Sequence, residues 1–391
     1  MPPFDRVVLI VLDSCGLGGA PDAARYGDAG ASTLPHVASA CGGLRLPVMG
    51  RLGLGRLAAI EGVPPDPAPA GAFGRMIETA AGKDSTTGHW EIAGLVLERP
   101  FPTFPNGFPV EWLERWSARV GRGWIGNVAA SGTEIIQRLG AEHERSGDFI
   151  VYTSADSVFQ IAAHERVVPI EELYSACAAA REMLTGALAV GRVIARPFEG
   201  EAGRWQRTPR RRDFSLAPPA ETLLDRLHAR GTPVITVGKV DELFAKRGVS
   251  DAIHTRDNSE GEAALLDLAR KSGEGLVFAN LVDFDQQYGH RNDAPGFARA
   301  LERFDETLGP LLGRLRGDEL CVVTADHGND PTTPGTDHTR EYVPLLVAGA
   351  RVHSTGLGTR ETFADLGVTL AELFGAGRLA NGTSFLREMR A

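Results

Sequence analysis

An apolar run over residues 320–325 stops abruptly at Asp326-His327-Gly328-Asn329-Asp330. A parallel strand buried on both faces reads as such a run, and it delivers polar groups at its carboxyl edge. The run constrains the chain to an α/β architecture, because parallel strands need crossover connections and those crossovers are usually helices. Eleven residues past Asp326 stands Asp337-His338-Thr339-Arg340-Glu341. Two histidines and several aspartates so close together suit a metal site. Taken singly, each also suits a polar surface turn.

Residues 7–12 form a second run of the same kind, ending at Asp13-Ser14-Cys15-Gly16. Asp13 sits where α/β sheets place ligands, or caps a following helix. Neither G-x-G-x-x-G nor G-x-x-x-x-G-K-[ST] follows this run, so its glycine loop carries no nucleotide fingerprint. Residues 233–237, 275–282 and 345–348 read as further strands. Residues 221–229, 262–271, 297–315 and 361–374 read as helices, the third kinked or broken at Gly309-Pro310. The run 275–282 leads to Asp283-Phe284-Asp285, with His290 close behind. Ser32 to Pro35 suits a helix start. The rest of residues 20–75 shows no clear pattern.

Four prolines between Arg99 and Pro109 preclude a regular helix or a central strand, and read as a linker. Residues 209–219 read as the return linker. The chain therefore divides into residues 1–100 and 218–391 of one core, with an inserted α+β cap over 101–217. Within the cap, 148–154 and 192–195 are strand-like, and 133–139 and 171–184 helix-like. Arg192, Arg196, Arg204, Arg207, Arg210, Arg211 and Arg212 suit phosphate recognition, or equally a solvated basic face. Ser154 and Asp156, just past a strand, suit sugar hydroxyls or a turn.

Lys and Arg number 41 against 50 Asp and Glu, a formal net charge of −9. That excludes nucleic acid as the main partner, since a phosphate backbone needs a basic footprint. The four cysteines form no close pair, which excludes a disulfide framework and a cysteine-rich zinc site. No apolar run is long enough to span a membrane, and the N-terminus lacks the pattern of a signal peptide, so a cytoplasmic location is expected.

A second dense stretch is Gly82-Lys83-Asp84-Ser85-Thr86-Thr87-Gly88-His89-Trp90-Glu91. Its three hydroxyls beside a lysine and a histidine suit a phosphate-accepting turn, or a helix start. Asp13, Asp285 with His290, Asp326 with His327, and His338 lie at separate strand ends or loops. In a parallel sheet those ends share one side, so the residues can converge. Three Asp, three His and a hydroxyl suffice for two divalent ions that clamp an in-line displacement. Mixed Asp/His ligation suits Mn²⁺ or Zn²⁺ better than Ca²⁺.

Together these residues resemble the metal-dependent alkaline phosphatase superfamily. More narrowly, the stretch from Gly82 to Glu91, Val282-Asp283-Phe284-Asp285 with Tyr288-Gly289-His290, and Asp337-His338-Thr339-Arg340-Glu341-Tyr342 are similar to the phosphopentomutases. The resemblance spans nearly the whole chain, including the cap. It implies an alkaline-phosphatase-like core whose mostly parallel sheet is covered by helices on both faces. One metal would be held by Asp285, His290 and His338, the other by Asp13, Asp326 and His327. The nucleophile position falls on Ser85, bridging both ions, where the family usually has threonine. Thr86 and Thr87 offer neighbouring hydroxyls. Ser154, Asp156, Arg192, Arg207 and Lys239 fall at positions that bind the sugar phosphate. The implied reaction interconverts α-D-ribose 1-phosphate and D-ribose 5-phosphate, and the deoxyribose pair, through a phosphoserine enzyme and a 1,5-bisphosphate. The implied cofactors are two Mn²⁺ ions, with glucose 1,6-bisphosphate or ribose 1,5-bisphosphate as activator. The only partners expected are small sugar phosphates, with no membrane and no obligate protein partner. A phosphatase or a phosphoglycerate mutase of the same superfamily would share the metal ligands, and a metal-binding protein without catalysis remains a third reading.

Overall fold

The computed structural model describes residues 4–154 and 156–390. The chain forms two compact units, one running to Arg99 and resuming at Pro218, the other Pro100–Ala217. In chain order the strands are β1 (Arg6–Leu12) and β2 (Ala72–Met76) in the first unit. The second unit holds β3 (Trp124–Ala129), β4 (Phe149–Thr153), β5 (Val158–His164), β6 (Arg192–Glu199), β7 (Gln206–Arg207) and β8 (Arg212–Ser215). Back in the first unit follow β9 (Val234–Val237), β10 (Asp251–Ile253), β11 (Gly275–Leu281), β12 (Glu319–Thr324), β13 (Val343–Ala348) and β14 (Thr355–Arg360).

The first unit is an eight-stranded sheet in the order β10-β9-β11-β1-β12-β13-β2-β14, with helices on both sides. β11, β1 and β12 lie side by side at its centre, mutually parallel and buried along their whole length. Burial on both faces explains why these segments read as unbroken apolar runs. β13 is the exception to parallel order, pairing antiparallel with both β12 and β2. β2 and β14 lie at one side of the sheet and escape a sequence reading because glycine interrupts both. The helix Ala294–Leu312 runs through Pro310 without a break, which excludes one of the two expectations for Gly309-Pro310, a broken helix. Pro310 sits in the last turn, so the hydrogen bond it forfeits is near the frayed end, and buried Leu308 and Leu311 hold that turn on the core.

In the second unit five strands run β3-β4-β5-β6-β7, with β8 also pairing β6. The strand period of two sends alternate residues to two cores. On one face Trp112, Trp116, Phe149 and Phe159 pack together, and on the other Ile135, Ile150, Phe198 and Trp205. Two expected linkers carry more structure than the sequence suggested. Phe108 is buried in the first of these cores and Phe104 packs against it, so the proline-rich stretch anchors the cap. The return segment contains β8, antiparallel to β6, because an edge strand tolerates the charged Arg212-Asp213 sequence that made it read as loop.

Candidate active site

Three adjacent central strands deliver the acidic groups. Asp13 follows β1, Asp285 lies in the π-helical turn Phe284–Tyr288 just past β11, and Asp326-His327 follow β12. Adjacent parallel strands end on one edge, so groups hundreds of residues apart meet there. π-turns of this kind are frequent at functional sites. His290 stands in the next short turn, Gly289–Arg291. His338 lies on no strand. An antiparallel bridge between Gly328 and Thr339 carries it back until its ring is 4.1 Å from that of His327, centre to centre.

Two groups of ligand atoms result: Asp285, His290 and His338, and Asp13, Asp326 and His327. Within each, the atoms lie within 4.8 Å of one another. In the first group Asp285 faces His290 Nε2 at 3.2 Å and His338 Nε2 at 3.3 Å. In the second, His327 Nε2 is 3.5 Å from both Asp13 and Asp326. Tutors of ring orientation are present too. His290 Nδ1 is 2.5 Å from the Thr336 carbonyl and His327 Nδ1 is 3.0 Å from the Gly328 carbonyl. Donation from each Nδ1 leaves Nε2 with its lone pair aimed into the site. Asn280 donates to Asp13, and Asn329 to Asp285.

Asp13 Oδ1, Asp326 Oδ2 and His338 Nε2 are buried without a hydrogen-bond partner. Buried polar atoms are normally satisfied. Orphans that belong to two clusters of Asp and His fit a pair of divalent cations. Electrostatics agree. Burial, together with Asp326 and Asp285 nearby, pushes Asp13 well above the usual carboxylate range. Burial alone would raise Asp285 as well, but His338 and His290 hold it well below. Burial would lower His338, yet the Asp285 carboxylate lifts it to about 9. Burial lowers His327.

The raised His338 has a testable consequence. Its stabilisation of the metal-free fold is fully present below the unfolded pKa near 6.5 and is lost as pH rises through about 9. A metal ligand must be the neutral imidazole, so a cation held by His338 at neutral pH would displace that proton. Calorimetric titration in buffers of different ionisation enthalpy should report proton release near pH 7 that fades toward pH 9, with apparent affinity rising over the same interval. Absence of proton release at pH 7 would contradict this account.

Ser85 is the first residue of the helix Ser85–Ile92, and the Asp84 side chain caps that helix by accepting from Thr87 N. Ser85 Oγ lies 3.1 Å from His327 Nε2. Thr87 Oγ1 is occupied, donating to Asp84 at 2.6 Å. Of the three hydroxyls, it is Ser85 Oγ that meets the Asp/His cluster, at His327. The helix abuts the cluster so closely that a Cβ at Gly88 would lie 2.3 Å from the Asp326 carbonyl. The loop before Ser85 is held from two sides. Glu91 accepts from the N–H groups of Thr79 and Ala80. Arg340, two residues after His338, donates to the carbonyls of Glu78, Ala80 and Gly82 and pairs with Glu78 at 2.8 Å. Arg340→Met should therefore destabilise the protein by about 3–5 kcal/mol, since it strands a buried carboxylate. Chemical denaturation of the variant checks this, and a loss under about 1 kcal/mol would refute it.

Lys239 follows β9 in the core, near enough for its charge to lower Asp13. The remaining substrate candidates are in the cap. Ser154, half-buried, and Asp156, exposed, lie between β4 and β5. The arginines sort by strand face. Arg207 and Arg196 lie near the buried Tyr152 hydroxyl, and Arg192 pairs with Asp213 at 3.6 Å, near Arg196. Arg212 instead lies over the Tyr174 and Phe214 rings, and Arg210 pairs with Glu165, so these two are committed elsewhere. Sequence reasoning gave no role to Ser14 or Asn280, and placed His89 only beside the hydroxyl loop. Ser14 touches Asp285 and Asp326, and His89 Nδ1 sits 2.8 Å from the Ser85 carbonyl and 3.2 Å from Asp326. Asn280 left a signal of its own, as a polar residue inside an otherwise apolar strand.

The metalloenzyme superfamily profile matches residues 5–377. The chain is 55% identical to the phosphopentomutase of Caldanaerobacter subterraneus subsp. tengcongensis over 387 residues, covering 99% of this chain and 98% of that protein. It is 52% identical to the phosphopentomutase of Clostridium novyi over 387 residues, covering 99% of each. Among solved structures, the PH0037 protein of Pyrococcus horikoshii aligns with a TM-score of 0.51 at 16% identity, over 97% of this chain and all of that one, a likeness of fold. The Asp and His clusters at the strand ends, the matching profile and the full-length relatives agree: the chain belongs to the phosphopentomutase family of the metalloenzyme superfamily.

Proposed function

We propose that this protein interconverts α-D-ribose 1-phosphate and D-ribose 5-phosphate, and the 2-deoxyribose pair, through phospho-Ser85 and a 1,5-bisphosphate. The observation that carries the mechanism is Ser85 Oγ, 3.1 Å from His327 Nε2 and at the start of a helix. The positive dipole end of that helix favours a phosphoryl group at its first residue. Transfer breaks the Ser85 Oγ–P bond and forms a bond from phosphorus to the free sugar hydroxyl, whose proton is balanced by the one Ser85 Oγ regains. In the return step the bond from the other phosphorus to its sugar oxygen breaks, Ser85 Oγ takes that phosphoryl group, and the freed sugar oxygen gains the proton that Ser85 Oγ gives up. Asp285, His290 and His338 would hold one divalent cation and Asp13, Asp326 and His327 the other, with Ser85 between them. Such ions supply charge neutralisation on the transferred group and acidify the serine hydroxyl. The Asp/His donor set favours Mn²⁺.

Arg192, Arg207, Ser154 and Asp156 of the cap serve the sugar phosphate in this reading, and Lys239 serves it from the core. The cluster of guanidinium groups about Tyr152 supports an anion there. Catalysis of this type rests on positioning and electrostatics, and it requires that water be kept from phosphoserine. A bisphosphate such as glucose 1,6-bisphosphate or ribose 1,5-bisphosphate loads Ser85. The protein works in the cytoplasm on small sugar phosphates, without nucleic acid, membrane or obligate protein partner. The acidic balance, 41 basic to 50 acidic residues, supports the absence of a nucleic-acid partner. No helix among the described residues is long and apolar enough to cross a membrane. Phosphorus NMR of the Mn²⁺-loaded protein with ribose 1-phosphate and a trace of glucose 1,6-bisphosphate tests the reading. Ribose 5-phosphate should appear without inorganic phosphate. Release of inorganic phosphate would make the protein a hydrolase instead.

A further inference from the structure

Five non-glycine residues have positive φ among those described, and Ser14, with φ 72°, is the one that is buried. A left-handed backbone at a buried serine is strained and persists only when its surroundings hold it. Here the surroundings are the ligand clusters. Ser14 N–H donates to Asp326 Oδ1 at 3.2 Å. Its Oγ donates to Asp285 Oδ1 at 2.8 Å and lies 3.4 Å from His327 Nδ1. Asp285 belongs to one cluster, Asp326 and His327 to the other. One short side chain and its own amide therefore contact both sets, and the left-handed turn lets N–H and Oγ reach them together.

We propose that Ser14 is a positioning residue that ties the two cation positions together, fixing Asp285 in one set and Asp326 with His327 in the other. The inference rests on the assignment of these residues as metal ligands. Outer-shell partners of metal ligands typically matter about 10- to 100-fold in affinity.

Two substitutions separate this role from a purely structural one. Ser14→Ala removes the hydroxyl and keeps the strained φ. Ser14→Gly removes the hydroxyl and relieves the strain. The metal-free Gly variant should therefore melt a few degrees above the metal-free Ala variant. Metal affinity should not follow that order. Calorimetric titration of the full-length protein with Mn²⁺, with a competing chelator, should show two equivalents bound to the unmodified protein. Both variants should bind at both positions about 10- to 100-fold more weakly. Gly-variant binding as tight as that of the unmodified protein would overturn the proposal, because strain and not the hydroxyl would then matter. Weakening confined to one position would overturn it as well. Fewer than two equivalents on the unmodified protein would instead remove the metal assignment itself, and this proposal with it.

Discussion

Ser85→Ala should lower mutase kcat by about four orders of magnitude or more, because a covalent nucleophile has no substitute within reach. The protein should remain folded, since the Ser85 Oγ contact is to His327, within the cluster rather than the core. Its melting point should therefore move little. Phosphate carried on the protein after exposure to glucose 1,6-bisphosphate should vanish, as read by intact-mass analysis. Ser85→Thr should keep most activity, for it restores the hydroxyl at the same helix position. Thr86→Ala and Thr87→Ala should both still take up phosphate. Thr87→Ala loses its bond to Asp84 and should cost about 1 kcal/mol of stability. Phosphate retained by Ser85→Ala and lost by either threonine variant would move the nucleophile to that threonine.

Asp285→Asn should be nearly as damaging. Asp285 faces His290 and His338 and accepts from Ser14 and Asn329, so its charge organises one entire cluster. The isosteric amide keeps the shape and removes the charge. Bound divalent metal should fall from two equivalents to one, and kcat by about a thousandfold or more. His338 should also lose the carboxylate that lifts it to about 9, so proton release on metal binding near pH 7 should shrink. Elemental analysis of the desalted protein, with the NMR assay, checks both effects. Two equivalents retained by the variant would show that Asp285 is not a ligand.

How far these residues could be read from the sequence depends on where their information lies. Strands β1, β11 and β12 were legible because burial on both faces forces unbroken apolar runs, and their ends mark where Asp13, Asp285 and Asp326 must emerge. β13 was legible as a strand but its direction was not, since the same apolar run pairs either way. β8 hid in a stretch of Arg and Asp, and the continuity of the helix through Pro310 depended on buried leucines around it.

The sequence by itself determined the α/β core, the residue types gathered at its strand ends and the hydroxyl loop that goes with them. These follow from burial and strand period, which are local properties of the chain. Tertiary structure alone decided three things. It set the alignment that separates Arg196, with Tyr152, from Arg212, stacked on aromatic rings. It chose which hydroxyl of Ser85, Thr86 and Thr87 meets His327. It turned Ser14 left-handed between two ligand sets. Each depends on strand register or on the angle at which a helix meets the sheet, and those are fixed by partners far away in the chain.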